Sequence, residues 1–329
     1  MDHADEDYDG DIYIYRGGRA PQHITHARID ESIDEVEANA FFRCENLLQV
    51  DTHEGLRKVG SKAFWVCRAL RRINLKSAAE IDDFSFYQCE NLESVEFGDR
   101  LETIGNSAFS RCYSLKHLKL PSIITIQRNA FYSCESLVDI VFPKRLETMG
   151  TNAFKFCSGL QRIAIPLKKY LFQFPGQFEQ FNQFSFCHEL ATVDLVGEIH
   201  KTVASLHMDS WRTEMMAEIN RVNQEVLPNL NTKLDELDEK SEFIWGWMDR
   251  VITNMDRYKS EHCRYVKEGI TLLELALWKA KLCDKEDACG EKRSKKIKLD
   301  AESVRKERRI TCGADLVIKN VLPFLKLDE

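Results

Sequence analysis

Along the first two hundred residues, apolar positions recur as a fixed register rather than as a helix or long-strand period. A phenylalanine, a cysteine three residues on, a leucine three further and an aliphatic three further still return again and again. The phenylalanines are Phe41, Phe64, Phe86, Phe109, Phe131, Phe154 and Phe184, and the cysteines are Cys44, Cys67, Cys89, Cys112, Cys134, Cys157 and Cys187. Successive cysteines are 23, 22, 23, 22, 23 and 30 residues apart. Beyond each leucine, segments such as "LESVEF" alternate apolar and polar. They predict one short strand per unit, with the polar positions turned outward. The Ala-Phe-x-x-Cys stretch predicts a convex or helical turn. One unit cannot bury its own apolar edge, whereas stacked units bury each other's. A dry spine is therefore expected, each Phe lying on the Phe of the next unit.

Repeats of 20–29 residues are the period of leucine-rich solenoids. The expected fold is α/β: a solenoid of short parallel strands, about 22–23 residues per coil, followed by an α-helical C-terminal region. Equivalent cysteines in a solenoid have parallel side-chain vectors, which a disulfide cannot use. They read as small buried hydrophobes whose weak S–H donor satisfies a turn carbonyl. The chain contains no Cys-x-x-Cys pair. His262 and Cys263 are adjacent and point to different helix faces, and Cys283 and Cys289 are spaced unlike any common zinc site. No metal and no cofactor is expected.

"NAFxxCxxLxxIxF" followed by "xxLExxG", as at 129–150, resembles the BspA-like class of leucine-rich repeat. The resemblance covers roughly residues 24–195. It implies a binding or adhesion module and assigns no activity. The tail, with "LLELALWKAKL", "RKERRI" and "GADLVIKNVLPFLKL", also resembles the ends of uncharacterised algal (diatom-type) repeat proteins.

After residue 200 the period changes. Trp211, Met215, Ile219, Val222 and Val226 have helical spacing, ending before Pro228. From Leu230 to Ala276 apolar positions alternate by four and three, interrupted by Ser241, His262 and Gly269. This seam pairs either with the preceding helix as a hairpin or with a second chain as a homo-oligomer. The expected division is an acidic tail (1–18), the solenoid (19–200), a helical hairpin or coiled coil (201–283), a basic linker (284–299) and a C-terminal helical segment (300–329). The loop at 166–184, with Phe172, Phe174, Phe178, Phe181 and Phe184, is expected to cap the solenoid and to pack on the helices that follow, the alternative being a ligand or peptide pocket lined with aromatics.

Charge narrows the function. The chain of 329 residues carries a formal charge of −7, which argues against bulk nucleic-acid binding. The strand face carries mixed signs, not the uniform basic stripe that phosphate backbones require. Residues Arg72, Asn74, Glu96, His117, Lys119 and Arg162 are its candidate partner-binding side chains. His117 beside Lys119 lacks the positioned third group of a catalytic site, and no phosphate loop or nucleophile elbow occurs. A non-enzymatic protein-interaction scaffold is therefore expected. A surface adhesin and a nuclear factor touching nucleic acid are the alternatives. The latter rests on Lys292, Arg293, Lys295, Lys296 and Lys298, which resemble a nuclear localisation signal. No run of apolar residues is long enough to span a membrane, and the acidic N-terminus has no secretory-signal core. A cytoplasmic or nuclear location is expected.

Overall fold

The computed structural model describes residues 8–168, 170–172, 182–196, 213–214, 217–218, 220–226 and 239–290. Six successive coils, from His26 to Met149, each make one strand in each of two sheets. The larger, ten-stranded sheet contains β1 (Tyr8–Asp9), β2 (Ile12–Tyr15), β3 (His26–Ile29), β5 (Gln49–Asp51), β7 (Arg72–Leu75), β9 (Ser94–Phe97), β11 (His117–Lys119), β13 (Asp139–Val141), β15 (Arg162–Pro166) and β16 (Thr192–Val196), in that order. Only the β1–β2 pair is antiparallel. The smaller sheet has six two-residue strands: β4 (Glu35–Val36), β6 (Lys58–Val59), β8 (Glu80–Ile81), β10 (Thr103–Ile104), β12 (Thr125–Ile126) and β14 (Thr148–Met149). Register never slips, since Arg72, Ser94, His117, Asp139, Arg162 and Thr192 are successive partners.

The third side of each coil is the Ala-Phe-x-x-Cys turn, and its backbone excludes a helix. Among the described residues thirteen non-glycine residues have positive φ, twelve of them in pairs four apart, as in Asn39 and Arg43, Lys62 and Val66, or Asn129 and Ser133. That region costs an ordinary residue about 1–2 kcal/mol. The coils hold it open by bonding to one another. Phe41, Phe64, Phe86, Phe109 and Phe131 each donate a backbone N–H to a carbonyl of the next coil at 2.7–2.8 Å. Close approach of coils also explains the Gly in "RLETIG" and "RLETMG". A Cβ on Gly105 or Gly150 would lie 2.6 Å from the carbonyl carbon of Asp82 or 2.5 Å from the nitrogen of Arg128.

Inside, the seven phenylalanine rings form one stack, with centroids 4.9–5.7 Å apart and planes within 12°. The seven repeat cysteines are buried and free. Each thiol donates to a carbonyl of the preceding coil at 3.1–3.5 Å. From Cys67 onward that acceptor is the preceding phenylalanine's oxygen, which already takes the backbone N–H of its own cysteine. Both lone pairs of the carbonyl are thus used where water cannot reach.

The solenoid begins earlier than the expected boundary at 19. "IYIY" at 12–15 is β2, not tail, because its side chains cover the first coil. Tyr15 is fully buried against Phe41, with ring centroids 5.1 Å apart. Its hydroxyl donates to the Gly18 carbonyl and accepts from the Glu37 N–H, both at 3.3 Å. Burial pushes its phenol up to about 12.

At the other end, a π-helical stretch covers Val222–Val226 and helix α1 runs Glu239–Gly290. The helix therefore continues seven residues into the expected linker, through "DKEDAC", a stretch with no residue that breaks a helix until Gly290. Compact units divide the chain at Met255 and Asp256. In the first unit Ile244, Trp247, Met248 and Val251 of α1 are buried. In the second, α1 leaves Tyr265, Leu272 and Leu275 exposed, with Leu272 at 67%. Leu230, Leu234 and Leu237 of the seam lie outside the described residues, as do Phe174, Phe178 and Phe181. Phe172 is buried, bridges Met149 and meets the Phe184 ring edge-on at 6.3 Å.

Candidate functional site on the strand face

The outward positions of the large sheet form two rows. Along the first lie Gln49, Arg72, Ser94, His117, Asp139, Arg162 and Thr192. Along the second lie Asp51, Asn74, Glu96, Lys119, Val141 and Asp194, each two residues further on its strand. All six candidate residues therefore share one face. At about 4.8 Å per strand, Arg72 and Arg162 stand roughly 19 Å apart.

Most charges on this face are already paired along the sheet. Arg162 places Nε at 2.8 Å and a terminal guanidinium nitrogen at 2.6 Å from Asp194 Oδ2. Glu96 lies 2.7 Å from Lys76 Nζ, a contact that holds its carboxyl below the usual carboxylate range. His117 Nδ1 is 3.6 Å from Asp139 Oδ1, with the His117 side chain 72% exposed. Asn74 spends its side chain on its own turn, Oδ1 accepting the Lys76 N–H at 3.1 Å. Arg72 and Lys119 form no ion pair among the described residues. Ala164, expected to face outward, is 4% exposed, because its methyl is too short to reach past the flanking Val141 and Asp194.

Lys119 stands at the rim of an open groove of about 630 Å³. Phe97, Leu118, Leu120 and Phe142 form its floor, and Val141, Pro121, Pro143 and Val196 its walls. The groove exists because strand lengths differ. The strands β11 and β13 are three residues long while β15 and β16 are five. Val141 is 48% exposed there. The sequence reading placed Val141 on the outward row but missed the groove.

Among the described residues no cluster of three His, Cys, Asp or Glu could hold a metal, and no helix is long and apolar enough to cross a membrane. Lys292, Arg293, Lys295, Lys296 and Lys298 lie outside the described residues.

Stacked parallel coils with one strand, one leucine and one Phe–Cys corner each define a leucine-rich repeat solenoid. The family model for the BspA type leucine rich repeat region (6 copies) matches residues 20–124 and 79–206. The chain belongs to that family. Among solved structures it is similar to a leucine-rich repeat protein from Bacteroides ovatus, at 25% identity and a TM-score of 0.44, covering 53% of this chain and 43% of that one. It is also similar to a leucine rich cell surface protein from Faecalibacterium prausnitzii, at 27% identity and 0.41, covering 52% and 55%. A leucine rich repeat protein from T. pallidum aligns at 23% identity and 0.36, covering 60% and 88%. The chain spans about half the length of the first two. A search of curated proteins finds no match.

Proposed function

We propose that the protein is a recognition scaffold without enzymatic activity that holds a protein partner against the strand face between β7 and β15. The observation that carries this reading is the groove beside Lys119 and Val141: an exposed apolar wall next to an unpaired ammonium, on a sheet whose other charges are largely paired. A partner would bury Val141 and the proline rims, which contributes about 25 cal/mol per Å² of apolar surface, while Lys119 and Arg72 select a carboxylate of suitable register. Rigidity favours the role. The backbone of this face is fixed by the ladder on both sides of every strand, so little ordering entropy opposes binding. A reducing compartment belongs to the same reading, supported by seven thiols used as donors rather than as bridges.

The test compares full-length protein with Val141→Asp and with Lys119→Glu/Arg72→Glu in affinity capture from cells. A partner held by the parent and lost by both variants is the expected result. Equal capture by all three would sink the reading.

A further inference from the structure

The Ala-Phe-x-x-Cys corner has an outer side as well as a buried one. There the outer rings form two runs, one of Phe42, Trp65 and Tyr87 and one of Tyr132, Phe156 and Phe186, separated by the coil that carries Ser110, with cations over rings of both. Lys62 Nζ lies 5.5 Å from the ring centroid of Trp65 and 6.0 Å from that of Phe84. Arg111 Cζ lies 5.7 Å from that of Tyr87. Lys155 Nζ lies 5.6 Å from that of Phe156 and 5.5 Å from that of Phe186. The rings cover one another: Trp65 and Tyr87 are 4.4 Å apart at 26°, Phe156 and Phe186 4.5 Å apart at 10°.

None of these three cations forms a salt bridge among the described residues. On the other two sides Arg162 pairs with Asp194, and Lys58 with Glu80 and Asp82, while Arg72 and Lys119 are the exceptions on the strand face. In a chain of charge −7, this edge thus keeps three cations outside the ion pairs that Arg68 makes nearby with Glu45 and Glu90.

We propose that this edge is a second docking surface, independent of the strand face, for an extended acidic polypeptide lying along the solenoid axis. Spacing supports the choice. Lys62, Arg111 and Lys155 sit two coils apart, or about 10 Å per step at the strand spacing of a sheet. An extended chain in the polyproline II form, with three residues per turn and a rise of about 3.1 Å per residue, presents every third side chain on one face at about that interval. The rings meet such a chain with their edges, the electropositive part of the quadrupole. Nucleobases would need open ring faces on which to stack, and here those faces are filled by neighbouring rings and cations.

The experiment is fluorescence anisotropy on the full chain with a labelled synthetic peptide of repeating Glu-Val-Thr. A Lys-Val-Thr peptide and single-stranded oligo(dT) serve as comparators. The acidic peptide should bind, more weakly as salt rises, with the two comparators far weaker. Lys62→Gln/Arg111→Gln/Lys155→Gln should weaken it about tenfold, three exposed pairs each adding a modest share. Lys62→Arg/Lys155→Arg, which keeps the charge, should retain it. Arg72→Gln/Arg162→Gln on the strand face should leave it unchanged. Thermal unfolding of each variant establishes that it is folded. Absence of saturable binding, equal loss from the strand-face variant, loss in the charge-keeping variant, or tighter binding of oligo(dT) would each overturn the proposal.

Discussion

The middle coils and the last coil solve the same problem with different material. In the middle, Phe109 donates its backbone N–H to the Ala130 carbonyl of the next coil. At the last described coil, Phe184 donates instead to the Ser241 hydroxyl on α1, at 2.9 Å. Lys240, one residue earlier, donates its ammonium to the carbonyls of Cys187, His188 and Leu190. Asn223 closes the edge of the large sheet, Oδ1 accepting the Val193 N–H at 3.0 Å. Repetition supplies partners by translation. A terminus must recruit side chains to stand in for backbone, one orphaned group at a time.

Alkaline pH should separate the two regions most strongly. Burial holds the thiols of Cys67, Cys89, Cys112, Cys134 and Cys157 above their ordinary value of 9.0. Above pH 9 the unfolded chain therefore releases protons that the folded chain keeps, so stability is full below that pH and falls as pH rises. Each such thiol, ionised in the unfolded chain and protonated in the folded one, steepens the fall by up to about 1.4 kcal/mol per pH unit. Urea unfolding at pH 8, 9 and 10 measures the slope, and Cys112→Ala should make it shallower. A flat profile would mean that the thiols are not sealed from water.

Next in size, Phe109→Ala should cost about 3–5 kcal/mol. Phe184→Ala should cost less, since its ring has a stacked neighbour on one side and only the edge of Phe172 beside it. Equal losses would show that the last coil is as tightly built as the middle. Ser241→Ala should cost about 1–3 kcal/mol by leaving the Phe184 N–H buried without an acceptor. A neutral result would remove the hydroxyl from its capping role.

Gln183 sharpens the contrast from the other direction. It occupies the position of Ala40, Ala63, Ala108, Ala130 and Ala153 in earlier coils and is buried, with neither amide atom hydrogen-bonded. Gln183→Met should raise stability by about 1 kcal/mol in thermal unfolding; destabilisation would mean that the amide is satisfied by water.

An effect of the opposite sign belongs to Lys240, whose ammonium burial pushes down to about 8 from 10.5. Between those values the unfolded chain holds the extra proton, so this group's contribution to stability rises with pH, opposite in sign to the thiols. Lys240→Met should make the alkaline loss slightly steeper, seen as a lower midpoint at pH 10 relative to pH 8.

Much of this was legible beforehand. The Phe and Cys positions, the outward strand rows and the leucine spine follow from a period repeated until chance is excluded. Ser241 shows where legibility stopped. In a heptad pattern it is a flaw in the seam, and nothing local reveals that its hydroxyl meets a backbone N–H 57 residues away. "IYIY" at 12–15 fails for a related reason: four residues beside an acidic stretch look like tail until the first coil needs a cover. The groove at Val141 required knowing that adjacent strands end at different heights.

Sequence alone determined the coil, because each repeat meets a copy of itself and the interactions of one unit, once written, are written for all. Tertiary structure alone decided the ends and the outer aromatic edge. There the partners are unlike segments, brought together by the closing of the chain, and no spacing in one segment encodes the geometry of the other.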